Sequence, residues 1–273
     1  MKKRRADERL LEELNLESLA LARALIMEGR AFAGERKLKS PGELVSDKET
    51  MRVRGALDPY VSRGAHKLKK ALEVFGLDVR GETCVDVGAS TGGFTDVLLR
   101  AGAERVYAVD VGYNLLDYRL RSDARVTVME RVNARFLRPE DFPARPSFGA
   151  TDVSFISLKA VLPAALSVLD GPRKRFVALV KPQFEAPRED VGEKGVVRNA
   201  RVHQRVLEEI AAFVPTLGWQ CAGLDFSPIR GPEGNIEFLL YIVPAGAGMK
   251  PLHEYAISDT IRRAYDKFIK MSE

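Results

Sequence analysis

Cysteine is almost missing from this chain: Cys84 and Cys221 are the only two in 273 residues. Two thiols cannot build a disulfide framework or a thiolate zinc site, and their scarcity fits a reducing cytoplasm. No metal is expected on this basis. Also missing is any apolar run near the roughly 18 to 20 residues that a membrane-spanning helix needs. The opening "MKKRRADERLLEEL" has basic residues but reaches acids before any apolar core, which argues against a secretion signal. Charge of one sign does not dominate either. Lys and Arg number 43 against 38 Asp and Glu, a net +5 that permits nucleic-acid binding without demanding it.

What is present is a globular composition, 45% hydrophobic, long enough for one large domain and one small one. Residues 1–55 read as a small α/β module. Asp7 is placed to cap a helix through Leu14, and Ser18 a second through Glu28, with Gly29 as a left-handed stop. Short strand-like pieces follow at "RAFAG", "GELV" and "MRVRG". "ALDPYVS" (56–62) reads as a linker, since Pro59 breaks helix. Over 63–246 strands alternate with helices, which predicts a doubly wound sheet. The strands are expected at 83–87, 105–111 and 125–129, then "FGATDVSFI", "RFVALVKP", "WQCAGLDFSPI" and "IEFLLYIV". The last two follow each other without a helix, as an antiparallel edge would. A long loop is expected from 182 to 198, and a terminal helix within the tail 247–273.

The stretch "VDVGASTGGFTDVLL" (85–99) reads as strand, glycine turn and helix start. Its spacing is D-x-G-x-x-x-G-G, not the G-x-G-x-x-G of a dinucleotide site. Asp86, two residues before Gly88, would repel a pyrophosphate but attract a ligand carrying an amine and a sulfonium. S-adenosylmethionine carries both. Gly88, Ser90, Gly92, Gly93 and Phe94 form the turn, and Asp110, at the next strand end, is placed to take two ribose hydroxyls. The bland alternative is a glycine turn with Asp86 as a helix cap. Asp152 and Lys181 border further apolar strands, Glu237 opens the last one, and Lys67 lies on the helix before the first. Such charges beside core strands are costly unless paired or functional.

With these residues in view, "YVSRGAHKL", "DVGASTGGFTDVLL", "TDVSFISL", "VKPQFEAPREDVGEKGVVRN" and "SPIRGPEGNIEFL" closely resemble the hemolysin A-like (TlyA) ribosomal RNA 2′-O-methyltransferases, of the FtsJ class. The resemblance implies a Rossmann-like fold with a seven-stranded, mostly parallel sheet, and S-adenosylmethionine as cofactor. It implies methyl transfer to a ribose 2′-hydroxyl, that of a cytidine, in ribosomal RNA or ribosomal subunits. It also implies a tetrad of Lys67, Asp152, Lys181 and Glu237, with Asp152 expected to touch the cofactor as well. The chemistry is coherent. A 2′-hydroxyl must lose its proton to attack a methyl group, and a lysine is a base only when neutral. Two ammonium groups about 5 Å apart repel by roughly 3 kcal/mol at an effective dielectric near 20. Lys67 would thereby depress Lys181, the expected base.

The first 55 residues resemble, more weakly, the αL RNA-binding motif. Expected RNA contacts there are Arg4, Arg5, Arg30 and Lys37, with Lys2, Lys3, Arg36 and Lys39. Arg63, Lys194 and Arg198 are expected to face RNA from the larger domain. Gly192 and Gly195 in the loop 183–203 suggest a lid that is mobile in the free enzyme. Three rivals stand beside this reading. One is a catalytically silent ribosome-binding protein, and another a membrane-active hemolysin. The third is a DNA or protein methyltransferase, against which "TDVSF" stands where an Asn/Asp-Pro-Pro-aromatic motif would be.

Overall fold

The computed structural model describes residues 3–16, 18–55, 58–253 and 255–269. The chain forms two compact units, Met1–Pro59 and Tyr60–Glu273. Lys2, residues 56–57 of the expected linker and 270–273 of the expected tail lie outside the described residues.

The first unit runs β1 (Lys3–Arg5), α1 (Ala6–Glu13), α2 (Leu19–Met27), β2 (Ala31–Ala33), β3 (Arg36–Lys37), β4 (Leu44–Ser46) and β5 (Met51–Val53). Strand β1 pairs antiparallel with β4, and β3-β2-β5 form a second antiparallel sheet. Ser18 caps α2 by accepting from the Leu21 amide at 3.1 Å, and Gly29 closes that helix at φ +69°. Asp7 is not a cap. It lies inside the first turn of α1, fully buried, with Arg5 at the N-cap position. The first amides of α1 need no side-chain cap, because Ala6 and Asp7 donate to the carbonyls of Glu43 and Pro41 at 2.8 and 3.0 Å. The Asp7 carboxylate instead binds Arg5 and Arg23, each at 2.8 Å. Strands β1 and β3 are short and charged, so no apolar alternation announces them.

The second unit begins with α3 (Ala65–Val74), β6 (Thr83–Val87), α4 (Gly93–Arg100), β7 (Arg105–Asp110), α5 (Tyr118–Arg121) and β8 (Val126–Glu130). It continues with β9 (Phe148–Thr151), α6 (Leu158–Ser167), β10 (Arg175–Val180), α7 (Pro182–Glu185), α8 (Ala200–Phe213), β11 (Trp219–Phe226), β12 (Phe238–Pro244) and α9 (Ala256–Phe268). The sheet order is β11-β12-β10-β9-β6-β7-β8. The five strands from β10 to β8 are parallel, and β12 and β11 join antiparallel. The order reverses between β6 and β9, which is where such sheets open a ligand crevice at the strands' carboxyl ends.

Two expectations need correcting. Strand β9 ends at Thr151, well before Ile156. The Asp152 amide still reaches the Val87 carbonyl at 3.2 Å, but the chain then turns, with Phe155 at φ +63°. The polar Asp152 and Ser154 therefore sit on a loop. The segment after Lys181 is also not an irregular loop throughout. It contains α7 and two 3₁₀ turns, Arg188–Asp190 and Glu193–Gly195. Glu185 accepts from Ser157 Oγ at 2.6 Å and the Leu158 amide at 2.7 Å. Buried Asn235 accepts from the Val197 amide and donates to the Gly195 carbonyl, both at 2.9 Å.

Candidate functional site

The glycine turn joins β6 to α4. Asp86 is fully buried beneath it, and its Oδ2 accepts from the Thr95 amide at 2.9 Å and from Thr95 Oγ1 at 2.7 Å. It therefore anchors the first turn of α4, whose N-cap position is Gly92. Its other oxygen, Oδ1, has no hydrogen-bond partner. Burial outweighs the Thr95 hydrogen bonds and pushes the Asp86 carboxyl up to about 7. Gly88 has φ +84°, and a Cβ there would stand 2.9 Å from Val153 Cγ1. At Gly93 a Cβ would meet Ser62 Oγ at 2.4 Å and the Ala65 amide nitrogen at 2.9 Å. The turn is thus clasped between the loop after β9 and the start of α3. Asp110 holds the turn from the other side, accepting from the amides of Ser90 and Gly112, each at 2.7 Å.

Two cavities meet at this turn and share Gly88, Ser90, Asp152 and Ser154. One, of about 230 Å³, is lined by Lys67, Asp86, Gly93, Phe94, Lys181 and Glu237. The other, of about 700 Å³, is more apolar and is lined by Val109, Asp110, Leu115, Asn133, Phe155 and Ile156.

In the smaller cavity the four charged residues form one chain. Glu237 Oε2 lies 2.8 Å from Lys67 Nζ, and Lys67 Nζ lies 3.2 Å from Asp152 Oδ2. Asp152 Oδ1 lies 2.6 Å from Lys181 Nζ, which donates to Ser154 Oγ at 2.7 Å. Helix α3 supplies Lys67, the residue after β9 is Asp152, the residue after β10 is Lys181, and the residue before β12 is Glu237. Burial alone pushes the Lys67 ammonium down, but Asp152 and Glu237 outweigh it and hold the group above the ordinary lysine value. Burial holds the Glu237 carboxyl above its ordinary value, against the opposing pull of Lys67. The sequence reading set the two lysines against each other. Here the Asp152 carboxylate bridges them, so their repulsion is largely offset.

Two residues escaped the sequence reading. Ser154 is a direct partner of Lys181, and Phe155 is 91% exposed at the rim, its ring 5.1 Å from that of Phe184. Both lie inside "TDVSF", whose polar-aromatic pair just beyond a buried strand was the available signal.

The residues expected to face RNA do not all converge. Arg63 is exposed between Ser62 and Gly64, which line the smaller cavity. Lys194 is exposed at φ +61°. Arg198 lines a separate cavity with His203 and Tyr265, away from the lysines. In the first unit Arg4 pairs with Glu12 at 2.7 Å, Arg5 with Asp7, and Arg30 with Glu28 at 3.4 Å, while Lys37 and Lys39 are exposed.

Among the described residues, no helix is long and apolar enough to cross a membrane. Residues 60–243 match the family model of the FtsJ-like methyltransferases. The chain is 42% identical over 239 residues to the 16S/23S rRNA (cytidine-2′-O)-methyltransferase TlyA of Mycobacterium tuberculosis, covering 87% of this chain and 89% of that one. It is 39% identical over 240 residues to Hemolysin A of Brachyspira hyodysenteriae, covering 88% and 99%. The solved structure named "Putative hemolysin from Streptococcus thermophilus" superposes with a TM-score of 0.77 at 43% identity, covering 100% of this chain and 99% of that one. With the glycine turn, the switch-point cavity and this match over most of its length, the chain belongs to the FtsJ-like methyltransferase family.

Proposed function

We propose that this chain methylates a ribose 2′-hydroxyl, that of a cytidine, in ribosomal RNA, with S-adenosylmethionine as donor. The observation that carries the reading is the Glu237–Lys67–Asp152–Lys181 chain opening on the cavity that the glycine turn lines. The residues present fit the donor. Asp86 lines the smaller cavity and has a buried oxygen without a partner, suited to an amine, and Asp110 stands at the end of β7 where a ribose is expected. When bound, S-adenosylmethionine supplies an electrophilic methyl group. Once it has released its own ammonium proton to solvent, Lys181 takes the hydroxyl proton, and Asp152 and Ser154 fix its nitrogen. Lys67 and Glu237 hold Asp152 in register, and most of the rate is assigned to alignment. Phe155 offers an exposed ring on which a splayed base can stack. Tritium transfer from labelled cofactor to ribosomal subunits tests the reading, and a protein that binds subunits without transferring label would be a silent binder instead.

The first unit is assigned to positioning RNA. The charges of Arg4, Arg5 and Arg30 are shared with carboxylates, so Lys37, Lys39 and Lys3 are assigned the phosphate contacts there, and Arg63, Lys194 and Arg198 those of the second unit. Reversing Lys37 and Lys39 to Glu is expected to weaken RNA binding and flatten its salt dependence, with cofactor affinity unchanged. Filter binding across a salt series checks this, and an unaltered slope would remove the two lysines from the interface. A ribosomal substrate also supports a cytoplasmic location.

Asp86 makes cofactor affinity depend on pH. Its carboxyl is raised to about 7, so the protonated form prevails at lower pH and the carboxylate above. A cationic amine prefers the carboxylate. Affinity for S-adenosylmethionine is therefore expected to rise between pH 6 and pH 8 in the wild type and to stay flat in Asp86→Asn. Calorimetry at the two pH values decides it, and a flat wild-type profile would take Asp86 away from the amine.

A further inference from the structure

We infer that Asp225, remote from the glycine turn, is a positioning residue for the Lys67–Glu237 half of the charge chain. The inference rests on the proposed methyl transfer. Asp225 is the second-last residue of β11 and is only 3% exposed. Its Oδ2 lies 2.9 Å from Lys70 Nζ, and its Oδ1 accepts from Arg263 Nη1 at 3.0 Å. Lys70 is one helical turn beyond Lys67 on α3, so whatever holds one holds the rotation and register of the other.

The next two residues strengthen the grip. The Phe226 carbonyl accepts from Lys70 Nζ at 2.7 Å, and the ammonium lies 3.8 Å from the centre of the Phe226 ring. The Ser227 amide then donates to the Glu237 carbonyl at 2.8 Å, one residue past the Phe226–Phe238 pair of the β11–β12 ladder. Three consecutive residues therefore fix both members of the buried Lys67–Glu237 pair, α3 through Lys70 and Glu237 through its own backbone. Burial holds the Lys70 ammonium below the ordinary lysine value, and the Asp225 ion pair opposes that shift without cancelling it. None of these three residues lines either cavity at the glycine turn. Loosening them displaces Lys67 without touching the cofactor's contacts.

Arg263 separates positioning from stability. It comes from α9, its side chain is 43% exposed, and it meets the Asp225 oxygen that Lys70 does not use. Single-turnover methylation of ribosomal subunits at saturating cofactor is expected to slow roughly ten- to a hundredfold in Asp225→Asn and in the milder Lys70→Gln. The dissociation constant of S-adenosylmethionine should not change in either. Arg263→Ala should lower the melting temperature and keep the rate. In ¹⁵N spectra of lysine ammonium groups, the Lys67 signal should shift or broaden in the first two variants and stay in place in the third. An unchanged rate in folded Asp225→Asn and Lys70→Gln overturns the inference. So does an equal slowing in Arg263→Ala, since the loss would then follow stability. If the wild type itself transfers no methyl group, the proposed function fails and the Lys67 signal decides alone. An undisturbed signal in both variants then overturns the positioning role, and a disturbed one supports it.

Discussion

Replacing Lys181 by methionine is expected to slow methyl transfer by about 10²- to 10⁴-fold, the usual contribution of a positioned acid or base. Cofactor affinity should be unchanged, because Asp86, Gly88 and Asp110 hold their places without it. Methionine keeps much of the apolar stem and removes only the nitrogen that bridges Asp152 and Ser154 at 2.6 and 2.7 Å. Asp152 keeps Lys67 as a partner, so the fold should survive. The decisive companion is Lys181→Arg. A guanidinium restores the positive charge but does not give up a proton near neutral pH. If Lys181 is the base, arginine fails as methionine does. If arginine restores the rate, the residue works through its charge, and the proton leaves by another route.

Much of the larger unit was legible because its strands are buried on both faces and its helices are amphipathic. Strands β6 and β10 fall where the apolar pattern puts them, since a parallel sheet under two helical layers leaves little freedom. The end of β9 was not legible. "ATDVSFI" stays apolar enough to continue as a strand, and only the pairing of β9 with β6, which stops at Val87–Thr151, ends it. The role of Asp7 was hidden for a similar reason. A carboxylate early in a helix suits a cap, but the backbone amides had already found Pro41 and Glu43, and the side chain was free to bind two arginines.

The charge chain was legible as a set and not as a circuit. Lys67, Asp152, Lys181 and Glu237 lie far apart in sequence, and motifs could name them. Which one bridges which depends on strand order. Strand order sets Lys181, after β10, between Asp152, after β9, and Glu237, before β12, and Lys67 then reaches both carboxylates from α3, so that Asp152 bridges the two lysines. Spacing along the chain carries no trace of that order. The partner of a long side chain is likewise set by what surrounds its tip, which is why Arg198 points to the His203 cavity instead of the lysines.

The second large effect is expected from Lys67→Met, and it is an effect on stability. Lys67 is 7% exposed and Glu237 is 1% exposed, so removing the ammonium leaves a buried carboxyl without its counter-charge. Breaking such a pair costs about 3–5 kcal/mol. At roughly 2–4 °C per kcal/mol for a domain of this size, the melting temperature should fall by about 10 °C. The loss should depend on pH in one direction. Burial already holds the Glu237 carboxyl above its ordinary value while Lys67 pulls it down. Without Lys67 the folded value rises further and the unfolded value does not. Between the two values the folded state binds the extra proton, so stability falls as pH rises. The variant should therefore lose least at pH 5, where Glu237 can fold protonated, and most at pH 8. Thermal unfolding at both pH values measures this. Adding Glu237→Gln should recover much of the loss at pH 8 and little at pH 5, because the amide removes the buried charge that only the higher pH creates. A loss equal at the two pH values, or no recovery in the double variant, would mean that Lys67 supports the fold through its packing and not by neutralising Glu237.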